Sequence, residues 1–90
     1  MKNLNKLIKS LKAEAKSDWA IQDDMSDMYN QDADDATTIR NLITQTYPNL
    51  VWASQHLNNL DTSIRESICV AIAEDKGNDY LIENFGWSVK

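Results

Sequence analysis

Asp61-Thr-Ser-Ile-Arg-Glu-Ser-Ile-Cys-Val-Ala-Ile-Ala-Glu-Asp-Lys-Gly77 is the stretch that decides the fold. It opens as a helix N-terminus: Ser63 and Glu66 have capping-box spacing, with Asp61 or Thr62 as the alternative cap. The run Ile68-Cys-Val-Ala-Ile-Ala73 is apolar on nearly every side of a helix. Such a helix belongs at the centre of a bundle. Gly77 then reads as a left-handed C-terminal residue. The stretch predicts a helix over about residues 62–75 that the others wrap.

Further helices flank it on both sides. Downstream, Asn78-Asp79 caps a short helix bearing Leu81, Ile82 and Phe85; Gly86 ends it, and Trp87 is expected to pack back on the core. Upstream, Pro48 both stops one helix and suits the first position of the next, whose stripe is Leu50, Ala53, Leu57 and Leu60. Before it, Asp32-Ala-Asp-Asp35 is read as the first turn of a third helix with Ile39, Leu42, Ile43 and Tyr47 on its inner face. Ile21, Met25 and Met28 form a narrower stripe of a second helix. The first is the clearest: Leu4, Leu7, Ile8, Leu11 and Ala15 share a stripe about 100° wide. Lys2, Lys6, Lys9, Lys12 and Lys16 lie opposite, and Ser17-Asp18 breaks the pattern. The expected fold is all-α, a compact single-domain bundle of five or six short helices over residues 1–90.

Composition agrees. Two glycines and one proline are too few for the many turns of an all-β domain. An apolar share of 42% supports one packed core. One cysteine, Cys69, cannot form an internal disulfide, and neither a spanning run nor a secretion signal is legible, so the cytoplasm is the expected compartment. With one histidine and one cysteine, a zinc site of the usual ligand count is not expected; with two isolated glycines, neither is a phosphate-cradling loop. No cofactor or metal is expected, and no catalysis.

Three local patterns have bland readings that outweigh the chemical ones. Asp23-Asp-Met-Ser-Asp27 is spelled DDxxD and so resembles the magnesium-diphosphate motif of isoprenoid synthases. Those enzymes need a large helical cavity and a second acidic motif, so here the spelling reads as a solvated helix face. Asp32, Asp34 and Asp35 faintly suggest a calcium loop, but Thr37 stands where its glycine belongs and Ile43 where its glutamate belongs. Cys69 with His56 is a conceivable nucleophile–base pair, yet Cys69 sits in an apolar run where cysteine is a small hydrophobe.

Trp52 and His56 are one turn apart on a face about 160° from the Leu50–Ala53 stripe. Burial on a second side is the favoured reading of Trp52, because tryptophan is highly buried on average. The alternative is an exposed binding anchor.

Charge is the most distinctive feature. Residues 1–16 carry five lysines and one glutamate, net +4, and the rest of the chain is net −9, giving −5 overall. Asp18, Asp23, Asp24, Asp27, Asp32, Asp34 and Asp35 follow one another with no basic residue between Asp18 and Asp35. Carboxylates a helical turn apart sit about 6 Å from each other, a spacing able to imitate a row of phosphates. In size, helicity and charge the chain resembles small acidic proteins of phages and plasmids, such as DNA-mimic antirestriction and anti-CRISPR proteins, and small acidic immunity proteins. No motif carries that likeness.

The expected function is a non-enzymatic inhibitor or modulator that docks an acidic face on a basic, nucleic-acid-binding protein. Its candidate partner-binding residues are Asp23, Asp24, Asp27, Asp32, Asp34, Asp35 and Trp52. Direct nucleic-acid or membrane binding is not expected. The alternative is an assembly module that forms a homo-oligomer, either with the basic first helix of one copy meeting the acidic face of another or with Trp52 anchoring an apolar interface.

Overall fold

The stripe Leu4–Leu7–Ile8–Leu11–Ala15 is the inner face of α1 (Lys2–Ala15): Leu4, Ile8 and Ala15 are buried, and all five lysines are exposed. In the computed structural model, which describes residues 1–89, five helices follow: α2 (Asp18–Gln22), α3 (Ser26–Thr44), α4 (Leu50–Asn58), α5 (Thr62–Lys76) and α6 (Asn78–Phe85). Among the described residues there is no strand, and no helix is long and apolar enough to cross a membrane.

The pairings close a ring, α1 on α3, α3 on α4, α4 on α6, α6 on α5 and α5 back on α1; α2 is an appendage of α1. The core lies inside the ring. Helix α5 supplies Ile64, Ile68, Cys69, Ala71 and Ile72, the largest share from any helix, while Val70 of the same apolar run faces solvent. Each fully buried Leu or Ile side chain contributes roughly 1.5–3 kcal/mol through removal from water. The outline, 41 × 29 × 23 Å, is elongated, with a radius of gyration of 13.2 Å.

The break between the second and third helices falls earlier than the sequence suggests. Asp32, Asp34 and Asp35 lie in the middle of α3, not in its first turn. Ala33 and Ala36 are buried with Ile39 and Ile43, so the inner stripe runs back through small residues whose apolar signal is weak. The true stop is Asp24, the one non-glycine residue at positive φ (58°) among those described. Met25 N donates to Ala20 O at 2.7 Å and Asp24 N to Ile21 O at 3.3 Å. This is the paired Schellman pattern, with aspartate where glycine usually stands. Ile21 is consequently 57% exposed, not part of a core stripe.

Other ends also differ in detail. Helix α3 stops at Thr44, leaving Tyr47 outside it and 84% exposed. Asn49, not Pro48, starts α4, its side chain accepting from Trp52 N at 3.1 Å. Asp61 occupies the N-cap of α5, and Ser63 sits inside the helix. Gly77 has φ 96° and ψ 151°, positive but not left-handed helical. That region is essentially open to glycine alone, and it lets one residue end α5 and start α6. Beyond Gly86, Trp87 packs on the core as expected; its Nε1 donates to Asn58 Oδ1 at 2.8 Å and Arg65 stacks over its ring at 4.3 Å.

The start of α1 carries no cap from its own neighbours. The Asp75 carboxylate in the last turn of α5 accepts instead from Asn3 N at 2.7 Å and Leu4 N at 2.9 Å. An anion belongs there because the first N–H groups of a helix are unsatisfied.

Candidate functional site

The interior position of Asp32–Asp35 on α3 divides the acidic stretch into two groups. On a 100° wheel, Asp27 and Asp34 differ by about 20° and face outward; both are exposed. Asp23 and Asp24 extend that exposed surface at the α2–α3 turn, and Asp18 lies in the first turn of α2. Asp32 and Asp35 lie about 100–160° further round and are half-buried. They turn into the seam where α3 meets α4 and the start of α5. The seven aspartates therefore do not form one face.

In the seam they meet Asp61, a residue that sequence reading treated as a cap and nothing more. Burial raises the Asp32 carboxyl above its ordinary value, and the neighbouring Asp35 and Asp61 charges push the same way. Asp35 is engaged: its Oδ1 lies 3.1 Å from His56 Nε2 and accepts from Gln31 Nε2 at 3.2 Å. Apolar side chains line the same seam. Grooves of about 270 and 230 Å³ adjoin there, and Met28, Asp32, Asp61 and Ile64 border both.

Trp52 is exposed at 62%, against the expectation of burial. The buried residues of α4 are Ala53 and Leu57, and on the Trp52 face α3 reaches only His56, one turn beyond the indole, through Asp35. So His56, one turn from Trp52 on α4, ties this helix to Asp35 of α3. Val51, at 68% exposure, looks the other way, toward a shallow groove shared with Glu83 and Asn84 of α6.

The α1 lysines make no ion pair with these aspartates. Among the described residues, the one pair of oppositely charged groups within ion-pair distance is His56–Asp35, which counts as such only when the imidazole is protonated. The lysines of α1 thus leave the aspartates un-neutralised.

A concavity of about 490 Å³ lies elsewhere, between α5 and residues 87–89. Cys69 borders it but is buried. Burial raises its thiol above the ordinary value, Arg65 partly offsets this, and Glu66 adds to it. A thiol held protonated is a poor nucleophile. His56 is held by Asp35. Among the described residues no three His, Cys, Asp or Glu side chains are arranged to hold a metal ion.

Comparison of the chain with protein-family models, with curated proteins and with solved structures finds no match.

Proposed function

We propose that this protein is a non-catalytic binding module that docks its acidic side on a basic surface of another protein, as an inhibitor or modulator of a nucleic-acid-binding partner. The observation that carries the reading is the separation of charge. Asp18, Asp23, Asp24, Asp27 and Asp34 are exposed, no lysine or arginine pairs with them among the described residues, and the α1 lysines are exposed on their own helix. Uncompensated charge of one sign steers oppositely charged partners and repels phosphate. Trp52 adds an exposed aromatic anchor of the type that dominates interface energies.

The test is capture of partners by the immobilised full chain at low salt, followed by identification. Strongly basic proteins should be retained, released by raised salt and displaced by duplex DNA. Capture that survives high salt and is unchanged in an Asp23→Asn/Asp24→Asn/Asp27→Asn variant would remove the electrostatic reading.

A second reading is favoured by one observation: Trp52 of α4 is exposed. Self-association anchored on that indole makes the protein an assembly module. Light scattering over a range of concentrations separates the two, since a monomer throughout rules out self-assembly.

A further inference from the structure

Binding through an acidic side gains a specific site at the α3–α5 seam, and the site proposed there rests on that reading. The two adjoining grooves have an apolar floor, with Met28 and Ile64 common to both, Leu11 in one and Leu60 in the other. Their banks are carboxylates from different elements, Asp32 and Asp35 of α3 and Asp61 at the start of α5. Among the described residues no lysine or arginine borders either groove.

We infer that this groove receives an arginine side chain of a partner polypeptide, its methylene stem lying on Met28 and Ile64 and its guanidinium between Asp32 and Asp61. Three features select that occupant. The carboxylates are not arranged to converge on a metal ion, so a broader organic cation suits them. An apolar floor below a charged rim matches a long aliphatic stem with a charged head. The guanidinium is planar, forks to two carboxylates and is less strongly hydrated than an ammonium, which favours it at a half-buried acidic rim. Besides burial, the charges of Asp35 and Asp61 disfavour the Asp32 carboxylate. A bound guanidinium relieves that repulsion and so gains affinity from it.

The test uses the full chain, labelled for NMR and titrated at low salt with a hexa-arginine peptide. A hexa-citrulline peptide of the same shape without charge is the control. Shifts should centre on Met28, Asp32, Asp61 and Ile64. Asp32→Asn/Asp61→Asn should weaken hexa-arginine binding by on the order of tenfold, because the variant loses the charge-assisted hydrogen bonds on both banks. Asp61 makes no side-chain cap bond, and asparagine is as well suited to an N-cap position, so this variant keeps its fold. Asp23→Asn/Asp27→Asn, which removes the same charge from the outer surface, should cost no more than about threefold through long-range attraction. Equal losses in the two variants overturn the groove while leaving the acidic-surface reading standing, whereas hexa-citrulline binding as tightly as hexa-arginine overturns both. Absence of hexa-arginine binding to the unmodified chain overturns both.

Discussion

Asp24 occupies a left-handed conformation with φ 58°, where a Cβ costs energy that glycine does not incur. Asp24→Gly should therefore raise stability by about 0.5–1 kcal/mol and the melting temperature by a few degrees, read by thermal unfolding. Two other aspartates respond to pH in opposite senses. The folded chain holds the Asp32 proton more tightly than the unfolded chain does. Its contribution to stability is thus full at low pH and is lost as pH rises from about 4 through its raised folded value. Asp75 is the reverse. Desolvation alone would raise its carboxyl, but the N–H bonds from Asn3 and Leu4 outweigh that and hold it below its ordinary value. Its contribution is complete above about 4 and is lost as pH falls through the lowered folded value. Denaturant titrations across pH should show Asp32→Asn more stable than the parent at neutral pH, with the gain vanishing near pH 4. Asp75→Ala should lose about 1 kcal/mol at neutral pH, as a helix cap does, and less in strong acid.

At the scale of elements, legibility followed the strength of local punctuation. Helices α1 and α5 read well because their apolar residues are large and their ends are marked by Ser17-Asp18, Asp61 and Gly77. The α2–α3 boundary did not, because its turn residue is an aspartate and the inner stripe of α3 passes through Ala33 and Ala36. That one misplacement also hid the site: with Asp32 assigned to a first turn, nothing sends it into a seam with Asp61, which is 29 residues away in the chain. Trp52 was misjudged for a related reason, since an average tendency to burial says nothing about which face a neighbouring helix covers. The Asp75 bond to Leu4 spans 71 residues and leaves no local signal. Gly77 offers a test at this scale. A Cβ there meets nothing within 4 Å, so the cost of Gly77→Ala is backbone strain alone. We expect a loss of about 1–3 kcal/mol by chemical denaturation, with α6 released most.

For the molecule as a whole, the ring of pairings makes the core common property of every helix but α2. Ile68 is fully buried at its middle, and Ile68→Ala should cost about 2–5 kcal/mol, enough to leave so small a domain marginal. The Asp75 carboxylate, fixed to the first turn of α1, has a kinetic corollary. Amide protons in the first turn of a helix ordinarily exchange with solvent almost freely. Here Asn3 and Leu4 are latched to the far end of another helix. Their deuterium uptake should be slow, should keep pace with the opening of residues 72–76, and should speed up on Asp75→Ala while Lys2 is unaffected. The front of the chain is then a reporter of whether its last quarter is intact.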